Sequence, residues 1–151
     1  MSSTAVFRII RCTSCRTLNK VPADKLGSRP KCGQCKNLLE VPRHPVTGTT
    51  AGFDREVNDW PEFLLVEFWA KWCGYCRMVE PVMNDMADWR AGRLKIMKVD
   101  VDSEPGLAQR FTVKATPTFI LYHNGKQLGR IDGAPKEKIE LVQWLDRFMG
   151  L

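Results

Sequence analysis

Three Cys-x-x-Cys pairs account for every cysteine of this 151-residue chain, and their placement divides it in two. Cys12-x-x-Cys15 and Cys32-x-x-Cys35 lie near the N-terminus, separated by sixteen residues, whereas Cys73-x-x-Cys76 stands alone further on. The first four fall within the C-x2-C-x15–20-C-x2-C pattern of a zinc site. Each short turn brings two thiolates to one side, and two such turns complete a tetrahedral four-sulfur shell. A segment of about 40 residues buries too little apolar surface to fold unaided, so the metal would supply the folding free energy. One structural Zn²⁺ per chain is therefore expected on Cys12, Cys15, Cys32 and Cys35. Two reducible disulfides, or free thiols, are the alternative.

Charge follows the same division. Residues 1–45 carry nine Lys/Arg against two Asp/Glu, while 46–151 carry fourteen against fifteen, so the net +6 is concentrated at the N-terminal end. Arg11, Arg16, Lys31 and Lys36 flank the cysteines and would partly offset the −2 charge of four thiolates around Zn²⁺. A basic ribbon invites a nucleic-acid reading. Phe7 is the sole aromatic residue of 1–45, however, which leaves no platform for stacked bases. Nucleic acid is disfavoured, and docking to an acidic protein surface stays open. Residues 42–52 are rich in Pro, Gly and Thr without periodicity and read as a linker. The expected division is thus a ribbon over 1–41, a linker over 42–52 and a second domain over 53–151. No apolar run reaches the 18 or more residues of a membrane span, and no signal-peptide pattern opens the chain. A cytoplasmic monomer without membrane contact is expected, and in that compartment six cysteines point to metal and redox chemistry.

The second part alternates strand and helix signals. Phe63 to Ala70 is a near-continuous apolar run, as in a strand buried on both faces. After Cys76, Val79, Val82, Met83, Met86 and Trp89 follow helical spacing, with Pro81 expected to kink the helix. Leu94–Val101 reads as a strand, and Ser103–Phe111 as a short helix with Pro105 in its first turn. Pro117–Tyr122 and Gln127–Asp132 form strands joined around Asn124-Gly125, a strong hairpin signal. Ile139, Val142, Leu145 and Met149 predict one face of a closing helix. The whole is a compact α/β sandwich.

Trp72-Cys73-Gly74-Tyr75-Cys76 directly follows the buried strand and opens a helix. A cysteine at a helix N-terminus faces unpaired N–H groups and the positive end of the dipole, which stabilise its thiolate. Cys73 is therefore the expected nucleophile. Cys76, one turn further in, would resolve the mixed disulfide that Cys73 forms. A third metal half-site is the weaker reading, because His44 and His123 show no ligand spacing to this pair.

Glu67 stands in the middle of the apolar strand, where an unpaired charge is costly. Burial should raise its pKa and make it a proton acceptor for Cys76; a carboxylate reaching water at a bend is the alternative. Lys98, within the next strand, either pairs with Glu67 or is solvated. Pro117 begins a strand expected in the core, where a residue without an N–H implies a special turn, with a cis bond as one option. Trp72 lies beside the nucleophile and can shield it.

Phe68-Trp69-Ala70-Lys71-Trp72-Cys73-Gly74-Tyr75-Cys76 resembles the active-site stretch of the thioredoxin family. The likeness continues through Pro81, Lys98, Thr116-Pro117-Thr118, Asn124-Gly125 and Gly133. With the four-cysteine ribbon it extends to nearly the whole chain, in the manner of thioredoxin 2, the zinc-ribbon type of bacteria. The resemblance implies a thioredoxin fold, a central mixed sheet flanked by helices, with a cis peptide before Pro117. It implies substrate docking against Trp72, Gly74, Tyr75, Thr116, Gly133 and Ala134, with Cys73, Cys76, Glu67, Lys98 and Pro117 forming the catalytic set. It further implies reduction of disulfide-containing proteins, re-reduction by an NADPH-dependent flavoprotein thioredoxin reductase, and no bound organic cofactor.

Three positions depart from that pattern. Tyr75 stands where the family has proline, Glu67 where it has aspartate, and Thr116 where isoleucine is common. Glu67 matches protein disulfide isomerase domains, and Cys-Gly-Tyr-Cys with Thr116 matches the bacterial periplasmic disulfide isomerase. The expected activity is a protein-disulfide reductase. A more oxidising, isomerase-like exchanger and a zinc-dependent, redox-linked binding module are the alternatives.

Overall fold

The computed structural model describes residues 6–151. Strands β1 (Phe7–Arg11) and β2 (Leu18–Pro22) pair antiparallel, Phe7 opposite Pro22, and a 3₁₀ turn (Ala23–Ser28) follows. Their core is small: Ile10, Val21, Leu26 and Leu39 pack with Cys12 and Cys32. Four aliphatic side chains cannot hold a fold of this size, so its stability has to come from the cysteines.

The larger unit runs β3 (Val46–Thr47), α1 (Phe53–Asp59), β4 (Phe63–Trp69), α2 (Gly74–Trp89), β5 (Leu94–Asp100), α3 (Pro105–Arg110), β6 (Thr118–His123), β7 (Lys126–Asp132) and α4 (Lys138–Met149). The sheet order is β3-β5-β4-β6-β7, with β3, β5 and β4 parallel and β6 and β7 antiparallel. Alternation along β4 sends Phe63 and Leu65 into a core with α2 and α4, and Leu64, Val66 and Phe68 into a core with α1 and α3. The same alternation puts Glu67 on the α2 side. The hairpin turns at Asn124 (φ 50°) and Gly125 (φ 81°), the two positive-φ positions of a type I′ turn.

Three expectations need correction. Val46–Thr47, within the stretch read as linker, adds the edge strand beside β5, and the Gly48 N–H donates to the Lys98 carbonyl at 2.8 Å. Two residues are too few to show a period. Trp89 is 62% exposed, because the buried stripe of α2 is Cys76, Val79, Met83, Met86 and Ala87, and Trp89, the last residue of the helix, falls off it. Ile139 is likewise exposed, since α4 buries Leu141, Leu145 and Met149 at i, i+4, i+8 and Ile139 falls off that stripe. Helix α2 runs on through Pro81.

The ribbon docks where β4 and β5 begin. Ile10 packs onto Gly92 (φ 91°), where a Cβ would lie 2.1 Å from the Ile10 Cδ1. Around this contact Arg11 pairs with Glu62 at 2.8 Å and Arg43 with Asp88 at 2.8 Å. Lys95, only 3% exposed, lies between Glu40 and Glu56 and 5.1 Å from the Trp60 ring centroid. The Cys73–Cys76 pair lies beyond the other end of β4.

Candidate functional site

The two ribbon pairs are built alike. The Cys12 N–H donates to the Thr17 carbonyl and the Arg16 N–H to the Cys12 carbonyl; Cys32, Asn37 and Lys36 repeat both bonds. The turns close through left-handed residues directly after the second cysteine, Arg16 at φ 69° and Lys36 at φ 67°. Each reversal aims backbone N–H groups at sulfur, from Ser14 to Cys12 and from Gln34 to Cys32, both at 3.4 Å. Backbone N–H groups, those of Cys15 and then Ser14 at Cys12 and of Cys35 and then Gln34 at Cys32, hold both thiols below their ordinary range, Cys32 at about 6. Asn19 adds a bond from its Nδ2 to the Cys32 sulfur and accepts from the Gly33 N–H.

All four sulfurs lie within 4.8 Å of one another, with Cys12–Cys35 and Cys15–Cys32 each at 3.6 Å. A disulfide would bring its sulfurs to about 2.0 Å. Thiolates at about 2.3 Å from a tetrahedral Zn²⁺ lie about 3.8 Å apart. The cluster therefore fits zinc and does not fit two disulfides.

At the other end, Cys73 caps α2 with extended backbone (φ −84°, ψ 112°), and its sulfur accepts the Cys76 N–H at 3.1 Å. The Cys73 thiol faces the carbonyl of Thr116 at 3.3 Å. Both cysteines are free thiols and almost fully buried. Their acidities diverge. Burial raises the Cys73 pKa, but hydrogen bonding from Cys76 and Thr116 outweighs it, and the net shift is downward. Burial pushes Cys76 up to about 12, helped by the negative charge of Cys73 and of Glu67. One thiol is prepared to ionise and its neighbour is held protonated.

Glu67 is 1% exposed, and neither carboxylate oxygen has a hydrogen-bond partner. Burial raises it to about 7; Lys98 works against this shift and Glu80 adds to it. Lys98 is the register partner of Glu67 across β4 and β5. Its ammonium nevertheless lies over the Trp69 ring, 4.3 Å from the centroid, and makes no ion pair with Glu67. Near neutral pH Glu67 is therefore poised between its neutral and its charged form.

The surface beside Cys73 is apolar and open, with Trp72 and Tyr75 67% and 62% exposed. Opposite lies the cis Thr116–Pro117 peptide. The Pro117 carbonyl accepts from the N–H of Gly133 (φ 89°) at 2.9 Å, which brings Gly133 and the half-buried Ala134 to the same edge. Gly74 is the first residue of α2. Cys73, Gly74, the Thr116–Pro117 peptide, Gly133 and Ala134 thus lie at one end of the sheet, while Glu67 is buried within β4 and Lys98 lies over Trp69. Asp102, Asn19 and Lys95 are additions. The Asp102 carboxylate accepts from the Trp72 indole N–H at 3.0 Å and fixes the ring that borders Cys73. Its place after β5, in Asp100-Val101-Asp102, was the available signal, but nothing in sequence pairs it with Trp72.

The thioredoxin family model matches residues 44–147, and the family model described as "Thioredoxin 2, N-terminal" matches residues 11–37. Thioredoxin C-3 of Corynebacterium nephridii is 34% identical over 139 residues, covering 92% of this chain and 94% of that protein. Thioredoxin 1 of a Nostoc species is 36% identical over 101 residues, covering 67% and 94%. A solved structure of a thioredoxin mutant from Halobacterium salinarum superposes with a TM-score of 0.63 at 28% identity, over 72% of this chain and 93% of that one. No helix among the described residues is long and apolar enough to cross a membrane. Sulfur geometry, sheet order and relatives agree: the chain belongs to the thioredoxin family of thiol–disulfide oxidoreductases and carries the N-terminal zinc ribbon of thioredoxin 2.

Proposed function

We propose that the chain is a cytoplasmic protein-disulfide reductase that cycles Cys73 and Cys76 through a mixed disulfide. The observation that carries this reading is the geometry of the pair: the Cys73 sulfur caps α2 and accepts the Cys76 N–H at 3.1 Å beside the cis Thr116–Pro117 peptide, an arrangement that lowers one thiol and raises the other. The Cys73 thiolate attacks one sulfur of a substrate disulfide. That bond breaks, a Cys73–substrate disulfide forms, and the other substrate sulfur leaves as a thiolate and takes a proton. Cys76 must then lose its own proton, and Glu67 is the buried base beside it, directly or through water. The Cys76 thiolate attacks the Cys73 sulfur, the second substrate thiolate leaves, and the two electrons of the dithiol have passed to the substrate. An NADPH-dependent flavoprotein reductase restores the dithiol. Trp72, Tyr75, Gly74, Thr116, Pro117, Gly133 and Ala134 form the peptide-docking edge, and Lys98 moderates Glu67 across the strand pair. One Zn²⁺ on Cys12, Cys15, Cys32 and Cys35 serves folding and takes no electrons.

Trapping tests the order of events. Cys76→Ser should accumulate a covalent adduct with insulin through Cys73, and Cys73→Ser should form none. Full insulin turnover by Cys76→Ser would overturn the two-thiol cycle. Tyr75 between the cysteines, with Glu67 behind them, supports a second reading as a more oxidising, isomerase-like exchanger. Titration of the pair against glutathione separates the two.

A further inference from the structure

We infer that the seam between ribbon and catalytic domain is a docking groove for an acidic, apolar peptide segment of a partner protein. Phe7 and Ile9 of β1, Trp89 at the end of α2 and the terminal Leu151 line a groove of about 250 Å³ there. These four side chains are 40%, 46%, 62% and 67% exposed. Large apolar residues scattered singly over a surface are ordinary, but four gathered around one concavity mark an interaction site. Their placement follows from strand alternation. Ile10 points into the ribbon core and against Gly92, so Phe7 and Ile9, of the opposite parity, are left facing outward. Trp89 is the residue that helical spacing assigns to the core and the fold leaves outside it.

The rim specifies the charge of the occupant. Arg8 and Arg93 border the groove, and among the described residues neither meets a carboxylate. The Arg8 guanidinium donates to the Trp89 carbonyl, which orients it without neutralising it. Arg93 lies 5.9 Å from the centroid of the Phe63 ring. Arg90 also lines the groove, but Asp146 neutralises it. Arg8 and Arg93, set against the single α-carboxylate of Leu151, give the apolar floor a positive rim that complements a segment in which Asp or Glu flanks bulky apolar side chains. A concavity of this size admits side chains rather than a lipid plane. The groove needs residues of both domains, so it exists only with the ribbon docked. It lies at the opposite end of the sheet from Cys73, and its occupant leaves the redox pair free.

The test uses the zinc-loaded full chain, titrated by ¹H–¹⁵N NMR with a synthetic peptide of alternating Leu and Glu pairs, about 14 residues long. The same peptide with Lys for Glu, a single-stranded oligonucleotide and anionic vesicles are the controls. Saturable shifts are expected at the Trp89 indole N–H and at the amides of Phe7–Ile9 and Ala91–Arg93. The Lys peptide should not bind. Arg93→Glu should weaken the Glu peptide by about tenfold or more, and Ile9→Ser should weaken it independently of charge. Insulin reduction by both variants should stay at the wild-type rate, so failure of the groove and failure of the redox reading are distinguishable. No saturable shift, equal binding of both peptides, indifference to Arg93→Glu, or preference for the oligonucleotide or vesicles would overturn the inference.

Discussion

The ribbon pairs and the catalytic pair share the spacing Cys-x-x-Cys and differ in what the chain does next. After Cys15 and Cys35 the backbone turns left-handed at Arg16 and Lys36, reverses, and leaves each pair facing the other. After Cys76 it continues as helix for more than three further turns, so Cys73 caps the start of the helix beside the exposed Trp72 and Tyr75, and Cys76 lies within its first turn. The reversal gathers four sulfurs into a ligand shell. The helix sets two sulfurs against each other in acidity. Spacing therefore specifies a turn, and the conformation of the following residue decides between metal and electrons.

Crossed substitutions break this contrast most sharply. Cys73→Ser should abolish insulin reduction and leave about one zinc per chain, whereas Cys12→Ser should lose the zinc and keep the chemistry of Cys73 and Cys76. Zinc analysis after gel filtration, beside an insulin assay, reads both effects. Loss of activity with Cys12→Ser in a protein that still folds would mean that the two sites are coupled.

Glu67 sharpens the catalytic half. Unfolded, it titrates near 4.5; folded, at about 7. Between these values the native state holds a proton that the unfolded state has released. Native stability from this group is therefore complete below pH 4.5, is lost as pH rises through 7, and is level above that. The gap corresponds to about 3 kcal/mol. Glu67→Gln should remove this slope in urea denaturation, gaining that amount on the wild type across the window. It should also slow resolution of the mixed disulfide on the order of a hundredfold. In the wild type that step should accelerate as pH rises through 7 and Glu67 ionises, and Glu67→Gln should lose the rise.

The contact between the halves comes next in size. Without zinc the ribbon should lose its fold, and the catalytic domain would then lose the Ile10 contact on Gly92 and the Glu40 partner of Lys95. Lys95 retains Glu56, so the buried charge is not orphaned. The expected loss is about 2 kcal/mol, read as a fall in Tm of the catalytic domain of about 8–16 °C on chelation. An unchanged Tm would show that the seam contributes nothing to the catalytic domain.

The cysteine spacing made both sites legible, because ligand shells and helix caps are local. Glu67 was legible as well: a charge amid Leu64, Leu65, Val66 and Phe68 breaks a pattern that sequence displays. The seam was not. Ile10 meets Gly92 and Glu40 meets Lys95 across tens of residues, and no period in either segment announces the other. Trp89 and Ile139 satisfy helical spacing but fall off the stripes their helices bury, and spacing alone does not record which flank of a helix meets the sheet. The edge strand at Val46–Thr47 derives its conformation from β5, so its own residues read as coil.

Asp102 carries the smallest effect. Trp72 is 67% exposed, yet its indole N–H is committed to the Asp102 carboxylate at 3.0 Å, and the Asp102 N–H is itself held by Asp100 at 2.9 Å. The pair lies open to water, so losing its bond costs about 1 kcal/mol or less in stability. Its effect belongs to recognition, because the ring borders the sulfur that a substrate must reach. Asp102→Ala should raise the KM for insulin by about two- to fivefold and leave the Cys73 acidity, followed by thiolate absorbance, where it was. Asp102→Asn keeps an acceptor oxygen and should restore most of the KM. A change in thiolate titration with Asp102→Ala would instead assign the carboxylate to the electrostatics of Cys73.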